Sequence, residues 1–145
     1  MALHIVKLCV GCDSIEDLAA WIDFRLEEKR AAGELPEQFH TTRMVPKRVD
    51  EILNGGSLYW VIKGNIQCRQ RLLDIRPFTD SEGIHRCHLV LEPKLVLTQW
   101  QPRRAFQGWR YLKAEEAPAD EANGGKGRAA LPAELRQELA ALGLL

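Results

Sequence analysis

The chain has 145 residues, 46% apolar and 28% charged, enough for one domain burying about two-thirds of its unfolded surface and unlike a disordered or fibrous composition. Its 20 basic and 20 acidic residues cancel overall but not locally: residues 1–39 hold 4 Lys/Arg against 8 Asp/Glu, residues 40–113 hold 13 against 6, and residues 114–145 hold 3 against 6. No basic leader with a long apolar run opens the sequence, and no window nears the ~18 uninterrupted apolar residues of a membrane span, so the reading is a cytoplasmic protein without membrane contact.

LHIVKLCV, rich in branched residues, predicts a buried first strand. A helix follows: Asp13 or Ser14 caps it, Glu16 or Asp17 completes a capping-box-like pattern, and Ile15, Leu18, Ala19, Ile22 and Leu26 recur on one face up to Gly33. FHTTRMV is expected to be extended, and Pro46 suits the first turn of a short helix, KRVDEIL, stopped by Asn54, Gly55 and Gly56. Strands are then expected in SLYWVIK, IQCRQRLLDIRPF, IHRCHLVLEP, LVLTQW and FQGWRYL, separated by turn signals at Gly64-Asn65, Asp80 to Gly83, Pro93-Lys94 and Pro102 to Arg104. The predicted fold class is α+β: a small, mostly antiparallel β-barrel or curved sheet covered by two N-terminal helices. Residues 1–113 form the domain, 114–130 a flexible linker and 131–145 a C-terminal helix with Leu135, Leu139 and Leu142 on one side. That stripe either docks on the domain or meets a protein partner.

Placing Gly64-Asn65 as a two-residue hairpin loop pairs Trp60 with Arg69, Tyr59 with Gln70 and Leu58 with Arg71. Tyr59, Val61 and Cys68 then share a core face, while Trp60, Arg69 and Arg71 share a water-facing one. Cations and aromatics interleave again downstream, in Trp100, Arg103, Arg104, Phe106, Trp109, Arg110 and Tyr111. Cations along phosphates with rings beneath bases are the ingredients of single-strand recognition. The candidate nucleic-acid-binding set is Arg43, Lys63, Arg69, Arg71, Arg103, Arg104 and Arg110, with Trp60 and Trp109 for stacking; Gln67, Gln70, Gln107, Asn54 and Thr41 or Thr42 are candidates for base edges. The competing reading is a solvated sheet face neutralised by the acidic ends.

Cys9-Val10-Gly11-Cys12 lies where a helix begins, which lowers a thiol pKa, but Asp13, Glu16 and Asp17 crowd the same turn and oppose that effect. Cys9 reads as a small buried hydrophobe and Cys68 as an inward strand residue. Cys87 with His85 or His88 does not repeat the paired spacing of a zinc site, and His85 and His88 point to opposite faces of a strand, so neither a metal nor a cofactor is expected. No positioned nucleophile or phosphate loop identifies an enzyme. The functional expectation is a non-catalytic nucleic-acid-binding module, RNA favoured; the alternatives are a small-molecule or nucleotide-processing enzyme with a basic cleft, or a protein-interaction module using the C-terminal helix.

LHIVKLCVGCDSIEDL, FHTTRMVPKR, GGSLYWVIKGNIQCRQRLLDIRPF, RRAFQGWRYL and LPAELRQELAALGLL together resemble an alphaproteobacterial family, domain of unknown function 1489. That resemblance implies a bacterial cytoplasmic protein and supplies no activity. The layout of a helix after strand one, GGSLYWVIKG and a following basic strand is also similar to the PUA and ASCH superfamily of RNA-binding barrels. Under that similarity Lys63 and Arg69 occupy basic places, and Gln67 stands where the ASCH pattern has an acid.

Overall fold

Alternating apolar residues and the capping signals become, in the computed structural model, seven strands and two helices across the described residues, 3–104 and 106–121. They are β1 (Leu3–Leu8), α1 (Ile15–Ala31), β2 (Gln38–Thr42), α2 (Val49–Leu53), β3 (Ser57–Ile62), β4 (Asn65–Thr79), β5 (His85–Leu91), β6 (Val96–Pro102) and β7 (Trp109–Lys113). The predicted C-terminal helix and the linker beyond residue 121 lie outside the described residues. Among the described residues no helix is long and apolar enough to cross a membrane.

The sheet is ordered β2-β5-β4-β3-β1-β7, with β6 on β4. Only β1 and β3 pair in parallel; the other ladders are antiparallel. The α+β class and the antiparallel bias are therefore as expected, but the sheet is open and not a closed barrel, because β2 and β7 stand at opposite ends of the order. Pro93-Lys94 does not reverse the chain. β5 and β6 both run antiparallel to β4, Leu91 opposite Leu72 and Val96 opposite Arg69, so the turn signal marks a kink in one long return run.

Ser14 caps α1 by accepting from the Asp17 amide at 3.2 Å, while Asp17 Oδ2 accepts from the Asp13 amide at 3.0 Å. The stripe Ile15, Leu18, Ala19, Ile22 and Leu26 is buried against the sheet. At the far end Gly33, with φ 75°, lets the Glu34 amide reach back to the Lys29 carbonyl at 2.8 Å. The main core lies between this helix side and one sheet face, including Ile5, Ile52, Leu58, Trp60, Ile62, Cys68 and Leu89. On the opposite face a smaller cluster of Val6, Tyr59, Val61, Ile66 and Leu112 is covered by Phe106 and Ala117. Both faces of β3 are thus covered, and every residue from Ser57 to Ile62 is buried.

Candidate functional site

The β3–β4 hairpin decides which side chains meet. Its loop is Lys63-Gly64, with φ of 48° and 82°, and not Gly64-Asn65, since Ile62 pairs with Asn65. Two successive positive φ angles match the right-handed twist of the strands. A bulge at Gln67 then separates Val61–Ile66 from Trp60–Cys68, so Tyr59 opposes Arg69 and Ser57 opposes Arg71. Because opposed residues project to one side, Trp60 joins Cys68 in the main core while Tyr59, Arg69 and Arg71 share the other face. The expected grouping of Trp60 with Arg69 and Arg71 is corrected accordingly.

Neither predicted stacking ring is available. Trp60 and Trp109 are each 4% exposed. The Trp60 indole donates to Gln70 Oε1 at 2.9 Å and meets the His40 ring edge-on; the Trp109 indole donates to the Met44 carbonyl at 2.6 Å. A large ring whose N–H finds an internal acceptor is stable inside, which is why both turn inward. Gln67 and Gln70 are buried too, Gln67 donating to the Ile62 carbonyl at 2.8 Å. Thr42 is likewise buried, and Thr41 Oγ1 lies 3.1 Å from His88 Nδ1; Asn54 and Gln107 are exposed.

The predicted cations divide into three places. Arg69, Arg71 and Arg110 lie on the face of the smaller cluster, in the row Arg69–Tyr59–Val6–Arg110 with Arg71 beyond. Arg69 is neutralised there: its guanidinium grips Asp120 with bonds of 2.8 and 2.7 Å and also donates to Ser57 Oγ at 2.9 Å. The same pair holds the Asp120 carboxyl below its usual range. Arg110 lies over the Phe106 ring at 5.3 Å and donates to the Gln107 and Trp109 carbonyls. Arg43 stands apart, exposed just after β2.

Lys63 and Arg103 are brought close along the backbone, and Arg104 is next in the chain. Asn65 pairs with Pro102, and the Arg103 amide donates to the Gly64 carbonyl at 2.8 Å, which fixes the end of β6 against the hairpin loop. Among the described residues none of these three side chains makes a salt bridge. Trp100, 55% exposed, lines a cleft together with Lys63. Sequence reasoning placed Trp100 among the interleaved aromatics but not in the stacking set. It sits on β6, which only β4 covers with a full ladder, and faces a cleft rather than packed side chains.

Lys63 and Trp100 are also walls of a cleft of about 270 Å³. Its other walls are Asp13, Ser14, Ile15 and Glu16 from the start of α1, Gln67, Leu97 and Thr98 from the sheet, and Glu121. Glu121 reaches it because residues 119–121 run along the β6 edge, with the Gln99 amide donating to Ala119 and the Glu121 amide to Leu97, at 2.8 and 3.0 Å. Successive side chains on such a run point oppositely, so Asp120 takes Arg69 on one face while Glu121 enters the cleft on the other. Glu16 Oε1 and Glu121 Oε2 are sealed from solvent and, among the described residues, accept no hydrogen bond. Carboxylate oxygens only accept, and a buried one without a donor costs on the order of 1–3 kcal/mol or more.

A second cleft, of about 480 Å³, is lined by Cys9, Cys12, Asp17, Trp21, His40 and Trp60. Burial, then a hydrogen bond with Cys12, pushes the Cys9 thiol up, and Asp17 adds to the rise, opposite to what a reactive thiolate requires. Burial also pushes Cys68 up, and Cys87 to about 11. Among the described residues no group of three or more His, Cys, Asp or Glu is disposed to hold a metal ion. His88 sits between Phe39 and Phe78, with ring centres 4.1 and 4.4 Å away, and Asp74 pairs with Arg76. Neither cleft is lined by His88, Asp74 or Glu82.

Residues 5–145 match the family described as Protein of unknown function (DUF1489), and the chain belongs to that family. No curated protein and no solved structure matches the chain.

Proposed function

We propose that this member of a family of unknown function binds single-stranded nucleic acid, RNA favoured, at the hairpin end of its sheet. Lys63, Arg103 and Arg104 take phosphates, and Trp100 provides the ring on which a base stacks. The observation that carries the reading is Lys63 sharing a cleft with the half-exposed Trp100 indole, with Arg103 and Arg104 following β6 beside the hairpin loop and none of the three cations in a salt bridge among the described residues. Phosphate contacts hold the backbone, and a stacked base is worth about 1–3 kcal/mol without requiring a particular sequence. Compared with the broad face expected from alternation alone, the surface is smaller: Arg69 is occupied by Asp120, and Trp60 and Trp109 are core residues.

The test is binding of a short fluorescent RNA across a salt series. Three phosphate contacts on a single strand give a slope of log affinity on log salt of about −2, and each charge removed lowers its magnitude by about 0.7. Lys63→Ala and Arg103→Ala are expected to show that reduction. Trp100→Ala is expected to weaken binding about 5- to 150-fold at unchanged slope. An affinity that does not respond to salt, or a slope unaltered by the Lys63 and Arg103 substitutions, refutes the proposal.

A further inference from the structure

We infer that Cys9 and Cys12 are a dithiol that a small-molecule disulfide oxidises to an internal Cys9–Cys12 bond, Cys12 being the thiol that attacks and Cys9 the one that resolves. The residues Cys9-Val10-Gly11-Cys12 turn the chain between β1 and α1. The Cys12 amide donates to the Cys9 carbonyl at 3.4 Å, and Gly11, with φ 86°, takes the positive angle that such a turn asks of its third residue. A four-residue turn keeps its end Cα atoms within about 7 Å, which overlaps the ~4.4–6.8 Å that a disulfide spans. Both ends of the turn are held. The Cys9 amide donates to the Val61 carbonyl at 2.9 Å, and the Asp13 amide, next after Cys12, donates to Asp17 at 3.0 Å in the α1 cap. The side chains meet as well, since after burial Cys12 is the main influence on the Cys9 thiol.

Access assigns the roles. Cys9 is 9% exposed and Cys68 and Cys87 are fully buried, whereas Cys12 is only partly buried. Cys12 opens, with Asp17, Trp21, His40 and Trp60, on the cleft of about 480 Å³, within the ~300–1,000 Å³ of small-ligand sites. That cleft shares no lining residue with the one at Lys63 and Trp100, so the site is separate from the nucleic-acid surface. In the first step Cys12 loses its proton and attacks one sulfur of the disulfide RSSR; the S–S bond breaks, one RS⁻ leaves and a Cys12–S–S–R bond forms. In the second, Cys9 loses its proton and attacks the Cys12 sulfur; the Cys9–Cys12 bond forms and the other RS⁻ leaves. The two thiol protons end on the two departing thiolates, so the chain gives up two electrons and the small disulfide takes them. The Cys9 thiol, pushed up by burial and by Cys12, is unsuited to the first attack. Capping Cys12 removes the part of that rise that Cys12 causes and leaves burial, so resolution is the slower step.

The experiment treats the full, reduced chain with hydroxyethyl disulfide at pH 8 and follows it by intact mass and peptide mapping. The expected product has lost two hydrogens, carries a Cys9–Cys12 link, keeps its circular dichroism and returns to the dithiol with dithiothreitol. Cys9→Ala is expected to stop with one hydroxyethylthio group on Cys12, and Cys12→Ala to take up none while folded. The wild-type map decides the matter even where a variant fails to fold. A wild-type chain that does not react, that stops at the Cys12 adduct, that links Cys68 or Cys87 instead, or that forms the Cys9–Cys12 bond only in urea overturns the inference.

Discussion

Replacing Gln70 with methionine tests whether the buried amide network, and not base contact, is what this residue does. Gln70 is fully buried and Gln38 is 3% exposed. The Gln70 Oε1 accepts from the Trp60 indole at 2.9 Å and from Gln38 at 3.3 Å, while its Nε2 donates to Gln38 Oε1 at 2.6 Å and to the Glu92 carbonyl at 3.0 Å. Methionine keeps nearly the same volume and removes every one of these bonds. The indole N–H and both polar atoms of the Gln38 amide are left without partners in the interior, while the Glu92 carbonyl keeps the Lys94 amide at 2.7 Å. With each orphaned group costing about 1–3 kcal/mol and some relaxation, the loss is about 3–5 kcal/mol. At roughly 2–4 °C per kcal/mol, Tm falls by about 10 °C. Urea unfolding of Gln70→Met, Gln38→Met and the double variant measures this directly. The double variant is expected to lose less than the sum of the singles by about 1–3 kcal/mol, since both amides then vanish together. Additive losses, or a single-site cost under about 1 kcal/mol, would show that the network is not what holds Trp60 inward.

Burial, reinforced by the Lys7 charge, lowers His40 from 6.5 to about 4. As pH falls the unfolded chain is protonated first, so stability present above pH 6.5 declines between 6.5 and 4 by up to about 3 kcal/mol; His40→Phe should flatten that part of a stability-versus-pH curve. The carboxyls of Glu37 and Asp74, held low by Arg76, act in the same direction but only at more acid pH. A thiol reagent at pH 8 is expected to modify Cys12 in the folded protein and to reach Cys9, Cys68 and Cys87 only on unfolding, because those three are buried and their thiols are pushed up. Rapid labelling of more than one thiol in folded protein would contradict this. Finally, a methyl group on Gly56 would overlap the carbonyl oxygens of Ile52 and Leu3, so Gly56→Ala should cost about 3 kcal/mol or more by chemical denaturation.

Much of the candidate site was legible as ingredients and illegible as an arrangement. The interleaved cations and rings near residues 60, 70 and 100–111 are all present, yet the set divides among a hairpin tip, a sheet face and a loop. Arg103 is brought to the hairpin loop that carries Lys63 because β6 pairs with the start of β4, a contact between segments about 40 residues apart that no local pattern encodes. Glu16 and Glu121 gave no local sign at all, since their meeting depends on residues 119–121 lying along the edge of β6.

Local chemistry alone determined the elements: the cap at Ser14, the stripe from Ile15 to Leu26, the exit at Gly33, and the alternating runs that became β3 to β7. These depend on neighbours within one turn or one strand, so their periodicity is written in the chain. Tertiary structure alone decided which face each strand residue shows. One position of shift in the hairpin loop, with an extra residue at Gln67, exchanges the two sides of a strand, and the second layer over β3 then buries both. The Arg69–Asp120 pair, 51 residues apart, shows the same limit for charge: attraction acts through space, and the chain order does not say which opposite charges will meet.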